Sequence, residues 1–205
     1  LTLLEKAKCR YHISQLSSQK SLETIKHRKE MVKFTSGVSI NNLSLNENDI
    51  GDFRTFLKLS PPLRSEEDRV ALVQGLKDGL IEVIVSDHKP EDEESKRLTF
   101  SQAATGASGI ETLLSLSLEL YHNGSLKLET IIKALTSNPA KILKIEKGNL
   151  SIGNDADLCI VDIDKPWIVK KEKLISKSKN TSIEDKKLQG KVINTFVKGK
   201  ELFKL

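Results

Sequence analysis

Little in this sequence points to a redox, membrane or nucleic-acid role. Its 205 residues include two cysteines, one tryptophan and four histidines, and aromatic residues make up only 4%. Cys9 and Cys159 lie far apart and match no metal-ligand or dithiol spacing, so they read as reduced thiols in the core of a cytosolic protein. No apolar run approaches the roughly 18 residues of a membrane span. The opening LTLLEKAKCRYH has neither the n-region nor the h-region of a signal peptide, and it lacks an initiating Met, so the chain is expected to start within a longer one. Blocks of like charge are absent as well. The net charge of +5 is spread over interspersed Lys, Asp and Glu with no aromatic interleaving, so neither nucleic acid nor membrane is expected as a partner. GNLSIG and TGASG match neither a P-loop nor a dinucleotide fingerprint, and no Ser-His-Asp set can be assigned by spacing.

A hydrophobic content of 38% is enough for a globular chain. Short apolar runs alternate with helical patterns. Arg10 to Leu16, Lys33 to Val38 and Ile81 to Val85 read as strands, the last mostly β-branched and expected to be buried on both faces. Helices are expected over Ser21 to Arg28, Ser65 to Asp78, Gly109 to His122 and Leu128 to Leu135. The second opens on Ser65 with Glu66 and Glu67 in its first turn, carries Val70, Leu72, Val73 and Leu76 at helical spacing, and stops at Gly79. Beyond Ala140 the texture changes to short strands punctuated by Gly, Asn, Asp and Pro, with a hairpin-like pair turning near Gly199.

Strand and helix alternating in this way implies parallel βα units, either part of an open doubly wound sheet or an arc of a closed (β/α)8 barrel. Both place function at the C-terminal ends of the strands. The stretch VIVSDHKPEDEESKR delivers Asp87 and His88 to that position, with Gln15 near the end of the first strand. A carboxylate there ligates a cation, takes a proton from an attacking water, or caps the turn that follows, with His88 as a satisfied polar neighbour. The run Glu91 to Arg97 reads as a solvated loop.

Five segments carry a resemblance. SPPLRSEEDR (Ser60 to Arg69), SDHKP (Ser86 to Pro90), SGIETLLSL (Ser108 to Leu116), LTSNPAKIL (Leu135 to Leu143) and GNLSIGNDADLCIVD (Gly148 to Asp162) follow one another as in dihydroorotases. These are cyclic amide hydrolases of the amidohydrolase superfamily, and the resemblance extends over essentially the whole chain. It implies an α/β fold in which residues 1–145 form the C-terminal part of a metal-dependent (β/α)8 barrel, its last three strands and helices. Residues 146–205 would then form part of a small β domain. It implies reversible hydrolysis of dihydroorotate to N-carbamoyl-aspartate in pyrimidine synthesis, with zinc as cofactor. Asp87 would touch the metal and shuttle the proton. The substrate would meet Ser60, Pro61, His88, Ala107 and Gly109.

The departures are specific. Gln15 stands where the family carries a histidine metal ligand, and His12, three residues earlier, faces the other side of an extended strand. Asn41 and Asn42 stand for a pair of histidines, and Ser60 for an asparagine that contacts substrate. His27 and His122 fall on helices, and the family's His-x-His lies in no part of the sequence. The chain is therefore expected to be the C-terminal half of a longer polypeptide and inactive alone. Three readings stay open: a dihydroorotase whose metal ligands lie upstream; a non-catalytic dihydroorotase-like partner of aspartate carbamoyltransferase; and a sister cyclic amidase such as an allantoinase or hydantoinase. A homodimer is a further expectation.

Overall fold

The computed structural model describes residues 1–7 and 9–205. Its first half is built from parallel strand and helix units. After a short helix α1 (Thr2–Ala7) come β1 (His12–Leu16), α2 (Gln19–Lys29), β2 (Thr35–Ser39), α3 (Ile40–Ser44), α4 (Glu66–Lys77) and β3 (Val83–Val85). The strands form a parallel sheet in the order β1-β2-β3, with Leu16 beside Val38 and Ser39 beside Val85. That register brings the C-terminal ends of all three strands to one edge of the molecule. The central strand TSGVS has little strand propensity. It is held by burial, since Ser36 to Ser39 are all buried beneath the helices.

The helices cover this sheet for readable reasons. In α4 the Ser65 Oγ accepts from the Asp68 N–H, and Glu66, Glu67 and Asp68 occupy the positive end of the helix dipole. Its Leu72, Val73 and Leu76 are buried with Leu22 and Ile25 of α2 and with Val38, Ile40 and Ile84. Val70, expected on that apolar stripe, is instead 52% exposed. The helix α2 starts at Gln19 because Ser18 caps it, its hydroxyl accepting from the Ser21 N–H.

The second half contains α5 (Glu93–Lys96), α6 (Leu113–His122), α7 (Leu128–Leu135), α8 (Ser137–Leu143) and the antiparallel sheet β4 (Leu158–Ile168), β5 (Lys187–Val197) and β6 (Lys200–Lys204). The expected short strands are thus one 11-residue strand, β4, paired along β5. Pro166 is tolerated because β4 is an edge strand and its register slips between Asp162 and Pro166. One hydroxyl joins two residues of the sheet to α6, and His122 of α6 also bonds the Ile163 carbonyl of β4 at 3.0 Å. Trp167 Nε1 donates to Ser115 Oγ at 3.1 Å, and Ser115 Oγ donates to the Gly190 carbonyl at 2.7 Å. A side chain at Gly190 would run into Leu118, so glycine permits the close approach.

Three expectations are corrected. Cys9 and Cys159 are both exposed, not core thiols. The run Glu91 to Arg97 is not a wholly solvated loop: it contains α5, and Lys96 is 2% exposed, its Nζ donating to the Ala104 carbonyl at 2.7 Å. The helix expected from Gly109 starts at Leu113, after a turn in which the Gly109 and Ile110 N–H groups donate to His88 Nδ1 and the Thr112 hydroxyl donates to the Gly109 carbonyl. Among the described residues no helix is long and apolar enough to cross a membrane.

Candidate active site

Register alone gathers the polar residues at the strand ends. Gln15 lies near the end of β1, Ser39 ends β2, and Asp87 follows β3 by two residues. Asp87 takes a left-handed backbone conformation at φ 50°, which aspartate tolerates better than most residues. Its half-buried carboxylate is held by two donors from the neighbouring strands, Gln15 Nε2 to Oδ1 at 2.8 Å and Ser39 Oγ to Oδ2 at 3.3 Å. Burial pushes the Asp87 carboxyl above its ordinary value. Gln15, Ser39, the charge of Lys89 and the Asn41 amide each pull it back.

The residues after β2 complete this environment. Asn41 and Asn42 are buried in α3. Asn41 Oδ1 accepts from Ser182 Oγ at 2.9 Å, while its Nδ2 is buried with no hydrogen-bond partner of normal geometry. Asn41 also biases Asp87 toward its charged form. Asn42 Nδ2 donates to the Pro62 carbonyl at 3.0 Å and leaves its Oδ1 buried and unpaired.

A second cluster forms around the Asp87 loop. His88 bridges Ala107 in parallel register, and Lys89 N donates to the Ala107 carbonyl at 2.9 Å. His88 Nδ1 accepts from Gly109 N at 3.2 Å and Ile110 N at 3.4 Å, so the ring carries a proton on Nε2. At Gly109 an added Cβ would lie 2.5 Å from the Ser86 carbonyl oxygen, which shows how tightly the two backbone segments are pressed together.

The structure therefore brings Gln15, Asp87, His88, Ala107 and Gly109 into two adjoining clusters. Ser60 is exposed, and neither Ser60 nor Pro61 hydrogen-bonds Asp87 or His88, but their neighbours tie the segment to both clusters, Gly106 N donating to the Lys58 carbonyl at 2.9 Å and Asn42 Nδ2 to the Pro62 carbonyl at 3.0 Å. His12 bonds Thr35 Oγ1 at 2.8 Å, at the opposite end of β1 from Gln15. Sequence reasoning missed Ser39 and the segment Ser176 to Ser182. In that segment Asn180 Nδ2 donates to the Gly106 carbonyl at 3.2 Å, and the Asn180 carbonyl accepts from Ser108 N at 2.9 Å. Ser39 was within reach of the strand register. The Asn180 contacts join residues more than seventy positions apart and leave no local signal.

A groove of about 1060 Å³ lies away from Asp87. It lies between α3, α4, α6 and the β4–β5 pair, with Arg69, Glu119, Trp167 and Lys186 among its walls. Among the described residues β1 and β3 each pair with one neighbour only, so both lateral edges of this sheet are open.

Comparison with known proteins decides the family. A sequence profile described as the amidohydrolase family matches residues 2–202. The chain belongs to the amidohydrolase family. It is 43% identical over 195 residues to a dihydroorotase of Ehrlichia chaffeensis, covering 95% of this chain and 44% of that protein. A dihydroorotase of Aquifex aeolicus is 40% identical, with coverages of 94% and 46%. Among solved structures, the L-hydantoinase (dihydropyrimidinase) of Arthrobacter aurescens superimposes with a TM-score of 0.94 at 28% identity, over 99% of this chain and 47% of that one. The chain thus spans less than half the length of these relatives.

The zinc that the resemblance implies was tested against these residues. Among the described residues no group of three or more His, Cys, Asp or Glu side chains is placed to hold a metal ion. Gln15, Asn41 and Asn42 offer amides where imidazoles were expected, and amides are poor zinc ligands. The residues present do not fit a zinc site.

Proposed function

We propose that this amidohydrolase is a dihydroorotase, opening the ring of dihydroorotate to N-carbamoyl-aspartate and closing it again. The observation that carries the proposal is Asp87. A single carboxylate, raised by burial and oriented by two donors, stands at the mouth of a parallel sheet beside a backbone cradle. The identities of 40% and 43% to dihydroorotases support dihydroorotate as the ring.

In the hydrolytic direction Asp87 takes a proton from water as the water oxygen bonds to the ring amide carbon. The bond from that carbon to the ring nitrogen then breaks. Asp87 passes its proton to the departing nitrogen, leaving a ureido group and a new carboxyl group that loses its proton to solvent, so that one water is consumed and Asp87 is regenerated. Burial raises the carboxyl toward the range where a base both accepts and releases a proton. The Ala107 to Gly109 backbone, positioned by His88, would orient the ring. Ser60 and Pro61, in the segment tied to Gly106 through Lys58 and to Asn42 through Pro62, would flank it.

A second reading draws on the amides at Gln15, Asn41 and Asn42: a dihydroorotase-like protein without turnover, acting as a structural partner of aspartate carbamoyltransferase. One experiment separates the readings. The full-length gene product is assayed with dihydroorotate, hydantoin and allantoin in parallel, with Asp87→Asn as control. Turnover of dihydroorotate that falls at least about a hundredfold in the variant supports the proposal. Preference for hydantoin or allantoin reassigns the substrate. No turnover by the folded protein overturns the enzymatic reading.

A further inference from the structure

The polar shell around Asp87 is built from hydrogen-bond donors, and this has a consequence for metal chemistry. A metal ligand must present lone pairs to the ion. Gln15 instead presents its N–H to Oδ1, and Ser39 its O–H to Oδ2, so both carboxylate oxygens already face protons. Two more oxygens of the shell are occupied, while Asn42 Oδ1 stays unpaired. Ser39 Oγ accepts from Asn41 N at 3.2 Å, and Asn41 Oδ1 accepts from Ser182 Oγ. The buried Asn41 Nδ2 is a further unpaired donor, and Asn41 and the charge of Lys89 both favour the charged carboxylate. A divalent cation bound to Asp87 would have to share both carboxylate oxygens with these donors.

We propose that Gln15, Ser39 and Asn41 together take the place of a metal as the partners of Asp87, and that Asp87 is a proton-handling carboxylate and not a metal ligand. Gln15 and Ser39 are positioning residues: they act through Asp87 by fixing its two oxygens. Any divalent metal bound by the full-length protein is held by other residues. The reading does not depend on which cyclic amide is the substrate, and its test uses no substrate.

The test is zinc binding by the full-length gene product, stripped with chelator and titrated with zinc chloride against a chromophoric competitor, as wild type and as Asp87→Asn. The expected result is the same stoichiometry and an affinity equal within about twofold, whether or not zinc binds elsewhere. A loss of about tenfold or more in the variant, the least that even an outer partner of a metal ligand costs, overturns the proposal. Should Asp87→Asn fail to fold, carbodiimide labelling of Asp87 in the wild-type protein decides instead. A labelling rate unchanged by saturating zinc supports the proposal, and protection of about tenfold or more overturns it.

Discussion

Gln15 and Asp87 lie 72 residues apart, yet Nε2 of the first donates to Oδ1 of the second at 2.8 Å, joining the end of β1 to the loop beyond β3. The bond favours the charged carboxylate against the burial that opposes it. Replacing Gln15 with leucine removes the donor and keeps most of the volume. The ionised fraction of Asp87 then falls at any given acidic pH. A hydrogen bond to a charged group contributes about 1.5–3 kcal/mol, so the expected loss in kcat/KM on the acid side is about tenfold, shrinking as pH rises. A pH–rate profile of Gln15→Leu with an unmoved acid limb would show that Asp87 does not act as the base.

Gly109 is pressed against the residue that precedes Asp87. A Cβ there would sit 2.5 Å from the Ser86 carbonyl oxygen, and a backbone atom cannot swing aside as a side chain does. Gly109→Ala is expected to cost about 1–3 kcal/mol of unfolding free energy by overpacking. It should also lower kcat more than it raises KM, since Asp87 moves with Ser86. Urea denaturation beside steady-state kinetics checks both; an unchanged denaturation midpoint would contradict the close approach.

Glu66 and Arg69 form a two-pronged pair on the first turn of α4, with distances of 2.5 and 2.7 Å. The Arg69 guanidinium and the Asn46 amide hold the Glu66 carboxyl down to about 2, from an ordinary 4.5. A depressed carboxyl stabilises the fold above its unfolded value, and that contribution is lost as pH falls from about 4.5 toward about 2. The pair is largely solvated, so Glu66→Gln should cost no more than roughly 1 kcal/mol at pH 6. The gap to wild type should close on acidification, which thermal unfolding across that window measures.

How much of this could be read from the sequence depends on how local the cause is. The cap at Ser65, the β-branched run before Asp87 and the turn at Gly199 are local, and the structure has each of them where the pattern indicated. The meeting of Gln15 with Asp87 follows from parallel register, which periodicity implies only once the strand order is known. The exposure of Val70 and the late start of α6 were hidden for another reason. The segment before α6 is held by a residue distant in sequence, the His88 ring that takes the Gly109 and Ile110 N–H groups, and nothing in the local pattern marks Val70 as exposed. Composition misled at Cys9 and Cys159, because a cysteine's general tendency to be buried says nothing about an edge strand or a chain end.

Lys96 was hidden more deeply still, in a run of charges that reads as solvated surface. Its ammonium is buried against the Ala104 carbonyl, and Ala104 N returns a bond to the Ser95 carbonyl, so the lysine closes the segment that leads from Asp87 to Ala107. Burial lowers its value to about 8, from an ordinary 10.5, with Glu91 opposing the shift. Below pH 8 the folded protein carries a buried charge. Between about 8 and 10.5 the unfolded chain holds a proton that the folded one has released, so stability rises with pH through that window. Methionine at this position has nothing to titrate. The stability of wild type relative to Lys96→Met should therefore improve by up to about 3 kcal/mol between pH 7.5 and pH 10.5, the other lysines cancelling in the difference. Urea denaturation of both proteins at the two pH values measures it. A difference that stays constant would mean that Lys96 reaches solvent, and that the Asp87 loop is held by its backbone bonds alone.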